Sequence, residues 1–373
     1  MSRATFWTLA AAVCLGMGGC GGGSASSGYR IAVIPKGLTH EFWKSIHRGA
    51  ERAAADLKAQ GVEVEVLWDG PHKEDDAADQ IQIVQTMVGR GINGLVLAPQ
   101  SSKQMVSPVR DVKDRGIPVV IIDSGLDRDE LAKNPDLIAK YVATDNYNGG
   151  KLAAIRLLKV LQEQGNKAPK VLLFAYAKDS ESTEQREQGF LDHVRAVRDA
   201  QKKAGQPTLT ILSEDVKQYA GATVNDAQKN AGPIINRFRE GGIDGIFAVN
   251  ESATNGMLLA LEAAELTKDD DKTDRKRVRL VGFDSSQPLL AGVRRGVIDG
   301  LVIQDPYRMG YLGVWMVVQH LRGNDVAPDG NKDLSTGEYV LTKDNINAEA
   351  TREKFEPELQ AKRKIAVPEL KKR

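Results

Sequence analysis

The sequence predicts an α/β fold in which parallel sheets form two similar lobes. Short runs rich in β-branched residues alternate with segments whose apolar residues recur every three or four positions. This alternation is typical of βαβ units and therefore of parallel sheets. The phrase "RGINGLVLAP" in the first half of the chain returns as "GGIDGIFAVN" in the second half. Each phrase joins a helix end, a glycine and a strand, so the repetition favours two Rossmann-like lobes over one wide sheet.

The predicted strands are separated by amphipathic helical patterns along most of the chain. The first helical pattern places Phe42, Ile46, Ala50, Ala53 and Leu57 on one face. In chain order, the strand candidates are "RIAVI", "VEVEVLW", "GLVLAP", "PVVIID", "KVLLFAY", "LTILS", "DGIFAV", "VRLVGF" and "GLVIQ". Four strand–helix units run to "LIAKYVATDN", and a second series begins after that segment.

The N-terminus has the pattern of a targeting segment. Arg3 is followed by the apolar run "FWTLAAAVCLGM", which is too short to span a bilayer. The run leads into "MGGC" and the flexible segment "GGGSASSG", which resembles the lipobox of bacterial lipoproteins, with Met17 where leucine is usual. We expect residues 1–19 to be a signal peptide, Cys20 to carry lipid and residues 20–28 to be a tether. A plain secretory signal is the alternative.

Composition excludes several classes of function. The chain has 373 residues, 41% hydrophobic and 27% charged, which suits one large or two medium domains. The formal net charge is +1, and no basic arm precedes the first strand, so we expect no nucleic-acid partner. Once the signal is removed, Cys20 is the single cysteine, which leaves no disulfide and no thiol for catalysis or metal binding.

Enzyme and metal motifs are incomplete. "HEFWK" lacks the second zinc histidine of HExxH because Lys44 stands there. "DNYNGGKL" lacks two residues of a phosphate-binding loop, no GxSxG is present, and no GxGxxG follows the first strand. "DGNKDLSTGE" and its continuation have Leu334 and Val340 where a calcium loop requires glycine and glutamate. We therefore expect no catalytic residue, no cofactor and no metal.

Polar and aromatic side chains cluster where the predicted strands end. Ligands of open α/β sheets bind at the carboxyl ends of the strands. The residues there are Thr39, His40, Phe42, Trp43, Asp123, Ser124, Arg186, Asn250, Asp284 and Gln304. Planar carboxylate, amide and guanidinium groups hydrogen-bond adjacent hydroxyls, and aromatic rings cover the C–H faces of a sugar. The mixture predicts a site for a sugar or a similar polyol.

Further segments occur in a characteristic order along the chain. They are "VVIIDSG", "VATDNYNGG", "REQGF", "VNES", "LVGFDSS" and "VIQDP". In this order they resemble the periplasmic sugar-binding proteins of ribose/galactose-type ABC importers, over about residues 29–345. The resemblance implies the type I periplasmic binding protein fold, which also forms the core of lac-type repressors. In that fold a three-strand hinge joins two Rossmann-like lobes, with crossings implied near Thr144, Asp305 and Thr336.

The implied crossings divide the chain into discontinuous lobes. The N-terminal lobe would comprise residues 29–144 and 305–336. The C-terminal lobe would comprise residues 145–304 and 337–350. Residues 351–373 are charged and interrupted by proline, and we expect them to form a partly ordered tail.

The resemblance also implies roles for individual residues. Phe42 and Trp43 match the aromatic pair that sandwiches the sugar. The matching polar contacts are His40, Asp123, Ser124, Arg186, Asn250, Asp284 and Gln304. Ribose binders usually have arginine after the first aspartate, and Ser124 removes that charged group, so ribose itself is not implied. The loop before Tyr219 aligns poorly, and contact between Tyr219 and ligand stays open.

The residues alone also allow a structural role without ligand contact at each position. The aromatic pair could anchor the core, and the two aspartates could cap the segments that follow them. Arg186 could lie on a solvated helix face within "ESTEQREQ". Gln304 could be a hydrogen-bond partner at the hinge without touching ligand. For His40, contact with ligand and absence of contact are equally open.

The predicted function is that of a substrate-binding lipoprotein of an ABC importer. A sugar or sugar-like polyol would bind in the cleft, hinge closure would bury it, and a membrane permease would recognise the closed form. We expect a monomer in the cell envelope or periplasm, anchored to a membrane through Cys20. The alternative is the ligand-binding subunit of a sensory, chemotaxis or quorum-signal system. A sugar-converting enzyme would need an acid–base pair or cofactor that the motifs do not supply.

Overall fold

The structure, a computed structural model, describes Met1 and residues 28–214, 217–239, 242–269 and 276–373. Apart from Met1 and Gly28, the expected signal peptide, the lipidation site Cys20 and the expected tether lie outside these ranges.

The strands of the described residues are mostly short and buried. In chain order they are β1 (Tyr29–Ile34), β2 (Val64–Trp68), β3 (Gly94–Leu97), β4 (Val119–Ile122), β5 (Lys140–Ala143), β6 (Lys170–Ala175), β7 (Thr210–Ile211), β8 (Gln218–Tyr219), β9 (Gly245–Ala248), β10 (Arg279–Phe283), β11 (Gly300–Ile303), β12 (Asn324–Asp325), β13 (Asp333–Ser335), β14 (Tyr339–Leu341) and β15 (Lys371–Lys372). Each segment proposed as a strand from the sequence overlaps one of them. The strands that were not predicted from the sequence, β5, β8 and those after β11, are at most four residues long.

The helices alternate with the strands as the apolar spacing predicts. They are α1 (Glu41–Ala59), α2 (Ala77–Gly89), α3 (Val106–Asp114), α4 (Arg128–Lys133), α5 (Asn146–Glu163), α6 (Glu181–Lys203), α7 (Val224–Arg239), α8 (Glu251–Ala263), α9 (Gln287–Arg295), α10 (Pro306–Leu321), α11 (Glu349–Arg352) and α12 (Pro357–Lys362). A 3₁₀ helix, Pro135–Leu137, lies between α4 and β5.

Within the described residues, the strands form two large sheets, one in each lobe. The N-terminal lobe has a six-stranded sheet in the order β13–β5–β4–β3–β1–β2, with parallel neighbours throughout. The C-terminal lobe has a seven-stranded sheet in the order β14–β11–β10–β9–β6–β7, and β8 also pairs with β6. In this sheet β14 is antiparallel to β11. The two sheets confirm the predicted α/β fold with two lobes.

Each sheet is buried on both faces by helices. In β1, Ile31 and Val33 pack into one apolar cluster, whereas Ala32 and Ile34 pack into the cluster on the opposite face. Successive side chains of a strand point to opposite faces, so a strand covered on both sides must be apolar throughout. The central strands of the C-terminal lobe show the same division between two clusters. This explains why the strands read as continuous runs of Val, Ile and Leu.

Glycines allow two helix pairs to approach closely. A Cβ added at Gly49 of α1 would lie 2.0 Å from the carbonyl oxygen of Tyr307 in α10. A Cβ added at Gly150 of α5 would lie 1.9 Å from the carbonyl oxygen of Arg186 in α6. Both distances are far below van der Waals contact, so neither helix could keep its place with a larger residue there. The second contact sets the position of Arg186 relative to the sheet.

The chain passes between the lobes at the end of β5, at the end of β11 and between β13 and β14. These crossings lie at or next to Thr144, Asp305 and Thr336, all of which are buried. Because the crossings are close together at one edge of both sheets, they form a hinge beside the cleft between the lobes.

The C-terminal segment, expected from the sequence to be a partly ordered charged tail, contains short helices and a short strand. Residues 349–373 contain α11, α12 and β15, and β15 pairs antiparallel with β12. Phe355 and Gln360 of this segment are 9% and 1% exposed. A few buried residues spaced along the segment hold it on the lobes.

Candidate functional site

A cavity lies between the lobes at the carboxyl ends of the strands. Most of the residues predicted to bind ligand line it: His40, Phe42, Trp43, Asp123, Arg186, Asn250, Asp284 and Gln304. Ser124 is missing from the described lining, and its Oγ instead accepts a 3.1 Å hydrogen bond from the backbone N–H of Ser182. The structure thus brings together residues that are up to 264 positions apart, from His40 to Gln304.

Asp123 and Asp284 occupy equivalent positions after β4 and β10, one in each lobe. Their φ angles are 62° and 73°, in the left-handed region that aspartate tolerates better than most residues. Their N–H groups donate to the carbonyl oxygens of Val142 and Val302, at 3.1 Å and 2.9 Å. Neither aspartate is the N-cap of the helix that follows it, so that alternative was wrong. The turns place both carboxylates at the cavity.

Burial dominates the electrostatics of both aspartates. It raises the pKa of the Asp123 carboxyl, although Lys36 and Arg186 act in the opposite direction. It also raises the pKa of the Asp284 carboxyl, against Arg186 and the hydrogen bonds from Gln304 and Glu251. Buried carboxylates of this kind require hydrogen-bond donors, because an unpartnered buried charge is costly.

Arg186 is buried in the wall of the cavity, with 3% exposure. Its Nε donates to Oδ1 of Asn146 at 2.8 Å, and Nη1 donates to the carbonyl oxygen of Val249 at 3.0 Å. The guanidinium lies 3.8 Å from the ring centroid of Phe283, a cation–π contact. The solvated alternative for this residue was therefore wrong. The protein itself holds the guanidinium in place before any ligand is added.

A chain of hydrogen bonds runs through the hinge into the cavity. Oγ1 of Thr144 donates to Oε1 of Gln304 at 2.7 Å, and Nε2 of Gln304 donates to Oδ1 of Asp284 at 2.6 Å. Oδ2 of Asp284 accepts from the backbone N–H of Glu251 at 2.8 Å, at the N-terminus of α8. Asn250 is the N-cap of α8 and accepts from the N–H of Ala253 at 3.1 Å. These bonds orient the amide and carboxylate groups of the hinge side.

The aromatic pair at the start of α1 has two different environments. Phe42 is half-buried, whereas Trp43 is 2% exposed and belongs to the apolar core of its lobe. Their ring centroids lie 4.8 Å apart, with an interplanar angle of 87°. Both rings also line the cavity. Trp43 therefore combines the two roles that the sequence left as alternatives, a core anchor and a cavity wall.

Comparison with known proteins identifies the family. The family model described as "Periplasmic binding protein domain" matches residues 31–325. This chain belongs to the periplasmic binding protein family. The family match and the two-lobed fold confirm the resemblance seen in the sequence.

Relatives of this binding protein cover most of its length. It is 26% identical over 304 residues to the D-ribose/D-allose-binding protein of Pseudomonas aeruginosa, covering 82% of this chain and 85% of that one. It is 27% identical over 321 residues to a ribose import binding protein of Haemophilus influenzae, covering 85% and 94%. A carbohydrate transporter solute-binding protein of Agrobacterium radiobacter, solved with D-arabinose, has 28% identity, 89% and 100% coverage, and a TM-score of 0.73.

The periplasmic component of an ABC-type sugar transport system from Hahella chejuensis has 30% identity to this chain. The match covers 84% of this chain and 99% of that one, with a TM-score of 0.70. These relatives are named as binding and transport proteins rather than enzymes, which supports the same class for this binding protein at the level of the family.

Glu74 is a site residue that sequence reasoning missed. It lies in the loop after β2, and its side chain is 7% exposed. Its Oε1 accepts from Nε1 of Trp43 at 2.6 Å and lies 2.8 Å from Nδ1 of His40. Its Oε2 accepts from the hydroxyl of Tyr176 at 2.9 Å, and Tyr176 belongs to the other lobe. Glu74 therefore joins the aromatic wall of one lobe to the facing wall of the other.

His40 and Glu74 form a buried ion pair. Burial alone would lower the pKa of His40, but Glu74 and other carboxylates raise it to about 9. Burial alone would raise the pKa of Glu74, but His40, Lys36 and the Trp43 hydrogen bond lower it to about 2. His40 is thus charged at neutral pH and its Nδ1 is engaged by protein, which explains its place at the cavity without a ligand.

Lys36 is a second residue that sequence reasoning missed. It is 4% exposed, and its Nζ lies 3.4 Å from Oδ2 of Asp123. The same ammonium donates to Oγ of Ser180 at 3.3 Å and Oγ of Ser182 at 3.2 Å, both in the other lobe. The sequence feature that could have identified Lys36 is its position just after β1, because side chains at that place enter the cleft. Lys36 supplies a cation beside Asp123. Ribose binders usually have an arginine at the position that Ser124 occupies here, directly after this aspartate.

The two lobes also touch across the cleft at Glu181, the first residue of α6. Its carboxylate accepts from the N–H of Gly125 at 3.0 Å and from Nε and Nη2 of Arg128 at 3.2 Å and 3.1 Å. The hydroxyl of Tyr141 donates to it at 3.3 Å. All three partners belong to the N-terminal lobe. The structure of this binding protein is therefore the closed arrangement of the lobes.

Two features of the described residues bear on the predicted membrane anchor and the expected lack of a metal. No helix there is both long enough and apolar enough to cross a bilayer. No group of three or more His, Cys, Asp or Glu side chains there is placed to hold a metal ion.

Proposed function

We propose that this protein is the substrate-binding component of an ABC importer and captures a sugar or sugar-like polyol between its lobes. The observation that carries the proposal is the composition of the cavity. Planar hydrogen-bonding groups from both lobes, Asp123, Arg186, Asn250 and Asp284, surround a space that Phe42 bounds on one side. Adjacent hydroxyls of a sugar match such groups, and an aromatic ring suits its C–H face.

The position of the cavity between the lobes supports a small ligand that both lobes enclose. In the closed arrangement both lobes wall this space, so a bound molecule would be almost completely surrounded. Hydrogen bonds in such a dry site are selective, because a ligand lacking one hydroxyl leaves a buried group without a partner.

The charges of the cavity favour an uncharged ligand. Three basic side chains, Lys36, His40 and Arg186, face four carboxyl groups, Glu74, Asp123, Glu251 and Asp284, so basic and acidic groups nearly balance. Burial and neighbouring Asp284 and Glu74 raise the pKa of Glu251 to about 7, despite the charge of His40. A sugar acid or an amino sugar would add a charge without a free partner, and a neutral sugar would not.

Closure of the lobes supplies the form that a permease would recognise. Hydrogen bonds from Tyr176 to Glu74, from Lys36 to Ser182 of α6, and from Arg128 to Glu181 all cross the cleft. They exist only when the lobes are together. A ligand that bridges the same two walls would add to them and shift the population towards the closed form.

The proposal is tested by screening neutral sugars, sugar acids and amino sugars for an increase in melting temperature, followed by calorimetry. The panel includes D-ribose, D-allose, D-arabinose and polyols. Asp284→Asn should weaken the binding of any hit by about tenfold to a hundredfold, the value of hydrogen bonds to a charged group. Asp344→Asn, at an exposed position, is the matched control. Failure of every neutral sugar and polyol to bind would contradict the proposal.

We also propose that the protein is a lipoprotein anchored through Cys20. The support is the sequence pattern alone, an apolar run, "MGGC" and a Gly/Ser segment. Wild-type protein should fractionate with membranes and carry lipid by mass spectrometry, and Cys20→Ala should be released in soluble form. A wild-type protein that is soluble and unacylated would show a plain secretory signal instead.

A further inference from the structure

The C-terminal segment crosses from one lobe to the other. The family match ends at residue 325, so this segment lies beyond it. After β14 the chain belongs to the C-terminal lobe, whereas α12 and β15 lie against the N-terminal lobe. The passage between the lobes occurs at about Glu356. In the described residues this is a fourth crossing, additional to the three that form the hinge.

The segment is anchored to the C-terminal lobe before it crosses. Phe355 is 9% exposed and belongs to the same apolar cluster as Leu341 and Ile346. The ammonium of Lys354 lies 4.6 Å from the ring centroid of Tyr339, on β14. These contacts bury one aromatic ring and one long aliphatic stem, so the segment up to Glu356 moves with the C-terminal lobe.

The segment is anchored to the N-terminal lobe after it crosses. Gln360 is 1% exposed and accepts from Oγ of Ser45 and Nη2 of Arg48, each at 3.3 Å. Ile365 and Leu370 pack against the apolar core of this lobe. The strand β15 then pairs with β12, and the N–H of the last residue donates to Gly323 at 3.0 Å. The segment therefore has a separate attachment on each lobe.

An ion-pair cluster locks the crossing onto the hinge. Asp305 lies at the second hinge crossing, where it caps α10, and its side chain is 1% exposed. Arg363 donates to both of its carboxylate oxygens, one of them at 2.7 Å. Lys354, from the other side of the crossing, donates to Oδ2 of Asp305 at 3.4 Å. One buried hinge carboxylate thus holds cations from both attached parts of the segment.

The crossing also borders a second cavity that adjoins the ligand cavity. This second cavity lies between α1, the N-terminus of α8, the loop before α9 and the C-terminal segment. It shares Phe42, Glu251, Asp284 and Gln304 with the ligand cavity. Phe355, Pro357 and Gln360 form its outer wall. Any widening between α1 and α9 on this side must stretch the chain from Phe355 to Gln360.

We propose that residues 353–373 act as a strap that limits how far the lobes open. Opening rotates the lobes about the hinge crossings and separates the two attachments of the segment. Only the residues between Phe355 and Gln360 span these attachments, which leaves little slack. The ligand-free protein should therefore remain nearer to the closed arrangement than a three-crossing hinge alone would hold it.

The test lengthens the strap without removing either attachment. About ten Gly/Ser residues, spanning roughly 18 Å, are inserted between Glu356 and Pro357. The control carries the same insertion after Gly205, in an exposed loop within the C-terminal lobe. Small-angle X-ray scattering of the ligand-free proteins measures the opening. We expect a larger radius of gyration for the strap insertion than for wild type and the control, once the added mass is matched.

A second variant covers the case in which the insertion disturbs folding. Lys354→Met removes the cross-lobe ion pair and keeps the chain length, and Arg352→Met, which breaks the partly exposed pair with Glu356, is its control. We expect Lys354→Met alone to increase the radius of gyration. If the strap insertion folds, an unchanged radius of gyration for it would overturn the proposal. If it does not fold, an unchanged radius of gyration for Lys354→Met would overturn the proposal. No ligand is used, so failure here is distinct from failure of the sugar-binding proposal.

Discussion

Replacing Glu74 by glutamine tests the buried network that joins the two walls of the cleft. Glutamine keeps the shape of the side chain and one acceptor oxygen, but it removes the negative charge. The substitution leaves His40 without its ion-pair partner and weakens the hydrogen bonds from Trp43 and Tyr176. We therefore expect both a loss of stability and a change in its dependence on pH.

The magnitude follows from the pKa of His40. Its value rises from 6.5 to about 9 on folding, so the stabilisation is complete below pH 6.5 and is lost as the pH rises through about 9. The difference corresponds to about 3 kcal/mol, because one pKa unit equals about 1.4 kcal/mol. Lowering of the pKa of Glu74 from 4.5 to about 2 describes the same pair from its acidic side. That contribution is present above pH 4.5 and is lost as the pH falls through about 2. The two pKa shifts describe one ion pair, so their free energies are not added.

Urea denaturation of ligand-free protein between pH 6.5 and 9.5 measures the effect. Wild type should lose about 3 kcal/mol of unfolding free energy across this range from the ion pair. Glu74→Gln should be less stable by a similar amount at pH 6.5 and nearly constant to pH 9.5. Glu41→Gln, whose carboxylate pairs with Lys44 at 54% side-chain exposure, should stay within about 0.5 kcal/mol of wild type. If Glu74→Gln matched wild type in stability and pH dependence, the buried ion pair would not exist in solution.

Three further substitutions test the positioning of the site. Trp43→Ala should lower the unfolding free energy by about 3–5 kcal/mol in urea denaturation, because the indole is 2% exposed; a loss below about 1 kcal/mol would contradict its core role. Arg186→Ala should lower the melting temperature even without ligand. We expect the free energy of unfolding to fall by about 2–4 kcal/mol, because two hydrogen bonds from the charged guanidinium are lost. An unchanged melting temperature would argue against these hydrogen bonds. Gly150→Ala should cost about 1–3 kcal/mol and weaken sugar affinity, because its Cβ would displace Arg186. Gly89→Ala in α2, where a Cβ meets open space, should instead stabilise by about 0.5–1 kcal/mol, and equal effects at both glycines would refute the close-approach argument.

The site was predictable where its residues follow strands directly. The positions of Asp123 and Asp284 could be predicted because each stands at the end of an apolar run, and parallel strands deliver their carboxyl ends to one edge. Gln304 follows β11 in the same way, whereas Arg186 lies inside α6, and the resemblance to sugar-binding proteins added support for both. Ser124 follows Asp123 directly and still lies outside the described lining, because the left-handed turn sends the two side chains in different directions.

Local periodicity in the sequence by itself determined the alternating strands and helices, the two-lobed fold and the chemistry at the strand ends. Only the tertiary structure decided that Glu74 meets Tyr176 across the cleft, that Lys36 lies beside Asp123, and that residues 349–373 fold back over the hinge. The physical reason is the distance along the chain between the residues that determine each feature. Side-chain period and strand-end position are properties of neighbouring residues, whereas a loop carboxylate or a charged tail acquires its role from partners that are brought near it only when the lobes assemble.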